Sequence, residues 1–150
     1  MPKLLWVPII AWFVAFTGPA LAVGPDFGMV DIPAGSAKLG DPDGDDNEVV
    51  TIRQMPAFRM MRLEVTNAQF EKFVAATGHR TDPAGNGETY VWWNRWQRVK
   101  GVDWRRPNGP QSTIVGLDDH PVMQVSARDA DAFCAYYGMR LPSDAEWEYA

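Results

Sequence analysis

Hydrophobic side chains recur every three to four residues in three parts of the chain, and each part begins with a helix-capping pattern. In the first, Thr66 stands three residues before Gln69, which is the S/T-x-x-E/Q pattern of a capping box. The apolar positions that follow share one helix face: Phe70, Phe73 and Val74. Gly78 is the residue type that helices favour just beyond their C-terminal end. The pattern predicts an amphipathic helix over residues 66–77.

The same combination occurs twice towards the end of the sequence. Ser126 and Asp129 predict a second helix start, and Gly138 predicts its end. The apolar face between them consists of four side chains: Ala130, Phe133, Cys134 and Tyr137. Ser143 with Glu146 predicts a third helix, and the sequence stops inside its second turn. We therefore expect the chain to be the N-terminal part of a longer protein.

Short stretches of alternating polarity predict strands near residues 29–35, 49–54 and 58–63. The long segment 79–116 has only weak periodicity and interleaves tryptophan with arginine and lysine. Such residues can pack arginine planes against indoles, or they can form the wall of a peptide or ligand site, and both alternatives remain open. Short elements separated by frequent turns predict an irregular, turn-rich α+β fold.

The N-terminal residues have the layout of a secretory signal peptide. Lys3 gives a positive start, residues 4–16 are apolar, and Ala20-Leu21-Ala22 is an A-x-A cleavage pattern. The apolar run is short for a membrane span. We expect residues 1–22 to be removed and residues 23–150 to belong to an exported protein, periplasmic or secreted, that is free of the membrane after cleavage.

Composition narrows the possible partners and ligands. The formal net charge of the 150 residues is −5, which disfavours nucleic acid as a partner. Two histidines and one cysteine have no zinc-site spacing. In an oxidising compartment, the single Cys134 is either a disulfide partner whose mate is absent or a small buried hydrophobic residue.

Several blocks of the sequence stand in an order that resembles one known family. In chain order they are Met29-Val30-x-Ile32-Pro33-Ala34-Gly35-Ser36, Glu64-Val65-Thr66-Asn67-x-x-Phe70, Gly101-Val102-Asp103-Trp104-Arg105-x-Pro107-x-Gly109-Pro110, Asp119-His120-Pro121-Val122-x-x-Val125-Ser126 and Arg140-Leu141-Pro142-x-x-Ala145-Glu146-Trp147-Glu148-Tyr149-Ala150. Together they resemble the formylglycine-generating enzyme family, also called sulfatase-modifying factors. The resemblance covers nearly all of residues 29–150. It implies an irregular α+β fold related to C-type lectin-like domains, of which this chain is the N-terminal portion.

The resemblance also implies an activity. Enzymes of the family use O₂ to oxidise a cysteine in a C-x-P-x-R motif of a sulfatase to formylglycine. They employ a cysteine pair that binds copper(I), a metal suited to soft thiolates, and calcium ions that support the fold. The cysteine pair and most calcium ligands belong to the C-terminal half of the family's domain, so we expect no catalytic residue in this chain. The alternative is a non-catalytic ligand-binding or maturation module of the same fold.

By resemblance, this chain would supply part of the substrate groove. An extended peptide with an arginine needs an acid and flat aromatic surfaces, and the candidates are Glu88, Trp96, Trp104 and Arg105. Glu64 is a candidate calcium ligand or a plain acid before a helix cap. Cys134 matches a cysteine that is a disulfide partner in some members. Ala127 and Arg106 replace the family's usual tryptophan and a common histidine, which suggests a divergent member.

Overall fold

The computed structural model describes residues 25–43 and 50–150, and the predicted signal peptide therefore lies outside the described residues. Ten elements follow one another along the chain: β1 (Met29–Ile32), β2 (Gly35–Leu39), β3 (Thr51–Met55), β4 (Phe58–Met61), α1 (Asn67–Thr77), α2 (Asp82–Asn86), β5 (Glu88–Trp92), β6 (Trp96–Lys100), α3 (Ala127–Tyr136) and α4 (Asp144–Tyr149). Within these ranges, no helix has the length and apolar character needed to cross a membrane. The mixture of short helices and short strands confirms the predicted combination of the two element types.

The strands pair into small antiparallel sheets. β1 pairs with β4, from Met29 opposite Met61 to Ile32 opposite Phe58. β2 pairs with β3, so this hairpin lies in the chain between the two strands of the first sheet. The three predicted strands are confirmed: β1 and β4 end earlier than predicted, and β3 is shifted to Thr51–Met55, whereas β2 was not predicted. The β2 sequence GSAKL is largely small and polar, which does not favour a strand, and its pairing with β3 stabilises the extended conformation.

Helix α1 begins and ends as the sequence predicts. The Thr66 hydroxyl accepts a hydrogen bond from the Gln69 amide at 3.3 Å, and the Gln69 side chain accepts one from the Thr66 amide at 3.0 Å. These two bonds satisfy backbone donors that the first helical turn leaves without partners. Gly78 follows with φ of 69°, the left-handed conformation that glycine adopts without steric cost.

Helices α3 and α4 show the same N-terminal geometry. Ser126 and Asp129 form one reciprocal capping box, and Ser143 and Glu146 form the other. α3 ends at Tyr136, and Gly138 follows with φ of 70°. Both predicted helix starts and the glycine after α3 are therefore confirmed.

The core is an aromatic cluster between α1, α3 and the loop after β6. Phe70, Phe73, Phe133 and Trp104 are each at most 3% exposed. The Phe70 ring lies 5.4 Å from the Trp104 ring in an edge-to-face arrangement and 5.9 Å from Phe133 in a stacked one, counted between centroids. Both arrangements are favourable for aromatic rings and add to the burial of their area. The two helices are thereby held against the loop that follows the β5–β6 hairpin.

Candidate functional site: the outer face of the β5–β6 hairpin

The β5–β6 hairpin separates its side chains into an inner and an outer set. Its register pairs Glu88 with Lys100, Tyr90 with Arg98 and Trp92 with Trp96. Because alternate residues of a strand point to the same side, these six side chains share one face, here called the hairpin face. Val91 belongs to the opposite side and is 2% exposed, so that side contacts the rest of the protein.

Local features position the end of the hairpin opposite its turn, here called the open end, where Glu88 pairs with Lys100. Gly87 ends α2 with φ of 79°, and β5 begins at the next residue. The amide of Gly101 donates to the carbonyl oxygen of Gly87 at 3.0 Å, immediately beyond the Glu88–Lys100 pair. Gly101 has φ of 69°, and a Cβ there would approach the Pro110 side chain to 3.2 Å. This position therefore favours glycine for its conformation and for space.

Large aromatic side chains on the hairpin face are open to solvent. Tyr90 is 56% exposed, Trp92 57% and Trp96 66%. The two indoles lie edge to face across the strands, with centroids 5.3 Å apart and ring planes at 68°. A cross-strand aromatic pair stabilises a hairpin. Its outer surface remains free to stack against an added planar or apolar group.

The charged groups of the hairpin face lie at its open end and middle. The Arg98 guanidinium forms an ion pair with the Glu88 carboxylate. Glu88 keeps 34% of its side chain exposed and Arg98 keeps 62%. An acid, two bases and three aromatic rings thus occupy one side of a two-stranded sheet, which can recognise a partner that combines charge with flat or apolar groups.

Gln124 braces this hairpin from a distant part of the sequence. Its side-chain amide donates to the backbone oxygens of Tyr90 at 3.2 Å and Pro107 at 3.1 Å. Gln124 has φ of 58°, a left-handed conformation that is uncommon for a residue other than glycine. No local sequence pattern indicates this role, because the nearer of the two partners of Gln124 is 17 residues away.

The structure separates the four candidate substrate-binding residues. Glu88 and Trp96 both lie on the hairpin face. Trp104 is 3% exposed within the aromatic core, so its indole offers no open surface, and the packing alternative applies to it. Arg105 covers that indole, with its guanidinium carbon 4.1 Å from the ring centroid, and approaches Glu71 at 3.8 Å. Trp104 therefore lies in the core and Arg105 lies against it, outside the hairpin face, and a substrate role for either residue stays a prediction.

Glu64 and Cys134 border a different feature, an apolar groove of about 1000 Å³. Its walls come from β4 with the loop after it and from the connection between α3 and α4. Burial, with a smaller effect of Asp131, raises the pKa of the Cys134 thiol, which keeps it protonated near neutral pH. Cys134 has no disulfide partner within the described residues.

The described residues hold few of the ligands that the metals implied by the resemblance require. Copper(I) favours thiolates, and residues 25–43 and 50–150 contain one thiol. Within those ranges, no group of three or more histidine, cysteine, aspartate or glutamate side chains is arranged to hold a metal ion, and Glu64 is exposed. These residues do not by themselves fit a two-thiolate copper site or a calcium site.

A buried carboxylate, Asp129, joins three segments of the chain. It is 1% exposed and accepts hydrogen bonds from the Ser126 amide at 2.8 Å and the Asp82 amide at 3.1 Å. The His79 ring lies 2.8 Å from it, between Nε2 and Oδ1. Burial opposes ionisation, but the bonds from Ser126, His79 and Asp82 outweigh it and hold the pKa of Asp129 below its usual range. The capping pattern indicated the Ser126 contact and gave no sign of the other two.

The sequence of this chain is similar to those of known proteins. Residues 20–150 match the model of the sulfatase-modifying factor enzyme 1-like domain. The chain is 40% identical to formylglycine-generating enzyme of Bos taurus, over 84% of this chain and 40% of the relative. It is 38% identical to the enzyme of that name from Streptomyces coelicolor, over 89% and 49%. It is 32% identical to inactive C-alpha-formylglycine-generating enzyme 2 of Mus musculus, over 100% and 55%. The chain thus spans about half the length of these relatives or less.

Proposed function

This chain belongs to the sulfatase-modifying factor family, and on that premise we propose that it is the substrate-holding part of a formylglycine-generating oxidase. Its substrate is an extended segment of a sulfatase-type protein that contains a C-x-P-x-R motif. The protein would act on this segment in an exported compartment, with O₂ as oxidant and with copper(I) and calcium as cofactors. The role assigned to the described residues is to bind and orient the segment.

The observation that carries this proposal is the hairpin face. Glu88 is a partly exposed acid that can receive an arginine side chain, and charge-assisted bonds of this kind are stronger than neutral ones. Tyr90 provides flat apolar surface next to it, and Trp96 extends that surface further along the same face, at the turn end of the hairpin. A proline ring or an aliphatic stem in the peptide can lie on such surface while the arginine reaches the carboxylate. An acid next to exposed aromatic rings suits the cation and the proline of the motif.

The chemical step is not assigned to the described residues. Copper(I), when bound, would supply the reactivity towards O₂, and thiolates would have to hold it, of which the described residues provide one. Cys134 is a single thiol with a raised pKa, held at the edge of an apolar groove. The proposal therefore gives Cys134 no part in the oxidation.

A non-catalytic binding module is the second candidate. It is favoured by the 32–33% identity to relatives that are named inactive formylglycine-generating enzymes. Both candidates share the peptide-binding hairpin face and differ in whether the bound cysteine is converted.

Two measurements test the proposal. Fluorescence anisotropy of a labelled C-x-P-x-R peptide reports binding, which we expect Trp96→Ala to weaken by about tenfold, since stacking on an aromatic side chain contributes on the order of 1–3 kcal/mol. Trp147→Ala is the matched control, because Trp147 is 70% exposed and borders the groove instead. Equal affinities of both variants and the wild type would contradict the proposed site. Mass spectrometry of the peptide after incubation with the whole protein, copper and O₂ then separates the oxidase from the binding module.

A further inference from the structure

Glu88, the acid of the hairpin face, is already paired with an arginine of the protein itself. In the register of the hairpin, Lys100 stands directly opposite Glu88, and Arg98 stands opposite Tyr90. The ion pair nevertheless joins Glu88 to Arg98, across the diagonal of the sheet. A diagonal neighbour on the same face is within reach of a long side chain.

The chemistry of this pair resembles that of a bound peptide arginine. A guanidinium group presents planar N–H donors that match a carboxylate, which the ammonium group of Lys100 cannot do. Arg98 therefore places on Glu88 the same group that a C-x-P-x-R segment would bring. Both partners keep solvent access, with 62% of the Arg98 side chain and 34% of the Glu88 side chain exposed, so the contact can be exchanged.

We propose that Arg98 is a specificity-determining residue that occupies Glu88 until a cationic side chain of the bound segment displaces it. The inference rests on the proposed function, because it concerns the same hairpin face. Arg98 lowers the binding affinity that a peptide gains through its arginine, because the new ion pair with Glu88 replaces an existing one. Segments must then obtain their remaining affinity from contacts with the aromatic rings, which selects for a proline or another apolar group beside the arginine.

The size of the effect follows from the exposure of the pair. Exposed ion pairs contribute little, and competition from one of them corresponds to about a two- to fivefold change in affinity. A purely structural role for Arg98 makes a different prediction. Removing a cross-strand ion pair would then weaken the hairpin and lower the affinity for all peptides alike, without a change in the preference for arginine.

The experiment compares two labelled peptides of the C-x-P-x-R pattern, one with arginine and one with neutral citrulline at the last position. Affinities are measured by fluorescence anisotropy for the wild type, Arg98→Gln, Arg98→Lys and Lys100→Gln. The readout is the ratio of the two dissociation constants for each protein. This ratio cancels any general loss of hairpin stability, because both peptides meet the same protein.

We expect Arg98→Gln to increase the preference for the arginine peptide two- to fivefold over the wild type. Arg98→Lys retains a cation beside Glu88 without the planar donors, and its ratio should lie between those of the wild type and Arg98→Gln. Lys100→Gln removes the same charge from the same face but leaves the Arg98–Glu88 pair, and it should change the ratio less than Arg98→Gln does.

Two results would overturn the inference in distinguishable ways. If the peptides bind and Trp96→Ala weakens them, but Arg98→Gln leaves the ratio unchanged, the peptide site stands and the role of Arg98 is wrong. If neither peptide binds to the wild type or to Arg98→Gln, the proposed function is wrong and the inference is lost with it.

Discussion

Replacement of Asp129 by asparagine removes the charge from a carboxylate that three segments share. Its oxygen Oδ2 accepts from the Ser126 amide at 2.8 Å, and the Asp82 amide lies 3.2 Å from Oδ1 and 3.1 Å from Oδ2. An asparagine keeps one acceptor oxygen and places an NH₂ group at the other position. If that group faces Ser126, two donors oppose each other at a site where the side chain is only 1% exposed.

The magnitude follows from the number of bonds affected. Hydrogen bonds to a charged group contribute a net ~1.5–3 kcal/mol each, and a buried donor left without a partner costs a similar amount. Loss of one such bond and weakening of the contact to His79 give an expected decrease of about 3 kcal/mol in the free energy of unfolding. Urea denaturation monitored by tryptophan fluorescence measures this, with an unchanged m-value as the sign that the denatured state is the same.

Asp131→Asn is the matched control for this prediction. Asp131 is on the same helix and carries the same charge, but its side chain is exposed. We expect its replacement to change the stability by less than about 0.5 kcal/mol. If Asp129→Asn costs no more than Asp131→Asn, the shared carboxylate is not a structural centre and the reasoning from its bonds is refuted.

Three further predictions concern the helices and their contacts. A Cβ at Gly35 would overlap the Tyr149 hydroxyl, so Gly35→Ala should lower the melting temperature. The double variant with Tyr149→Phe should recover most of this loss, and additive effects of the two substitutions would contradict the contact. The bidentate bond from Arg140 and the bond from the Ser143 amide lower the pKa of Glu146 to about 2. The stability that this ion pair contributes is therefore present above the ordinary pKa of about 4.5 and is lost as the pH falls towards 2. Arg140→Ala should move the midpoint of acid unfolding to higher pH, and an unchanged midpoint would exclude the linkage. Phe133→Ala should cost about 3–5 kcal/mol in urea denaturation, because Phe133 is 1% exposed among aromatic rings, and a loss below about 1 kcal/mol would place it outside the core.

The helix starts could be predicted because their signals are local. At each of Thr66, Ser126 and Ser143, the capping side chain and its partner are three residues apart, and the structure has both reciprocal bonds. Such a pattern depends on the backbone of a single turn and needs no tertiary contact. Prediction from sequence is at its strongest for features of this kind.

The hairpin that carries the candidate site was not predicted for a physical reason. Strand patterns are recognised by an apolar inner side and a polar outer side. Here the outer side carries Trp92 and Trp96, which count as apolar, while the inner side includes Gln97. The alternation was thus obscured by the same exposed aromatic residues that make the face a candidate binding surface.

Contacts between residues that are far apart in the sequence could not be predicted either. The sequence identified Asp129 as a cap, but its bonds to His79 and Asp82 join positions 50 and 47 residues away. Trp104 was assigned to the substrate wall together with Glu88 and Trp96, and only its 3% exposure assigns it to the core. A tryptophan in a loop has the same sequence signal in either role.

Photo-crosslinking tests the central claim most directly, because it locates the peptide without relying on a variant. A C-x-P-x-R peptide with a benzophenone side chain beside its arginine is irradiated with the protein, and the cross-linked residues are identified by mass spectrometry. The account predicts cross-links to β5 and β6, between Glu88 and Lys100. Cross-links confined to the apolar groove around Leu63 and Trp147, with none on the hairpin, would contradict it.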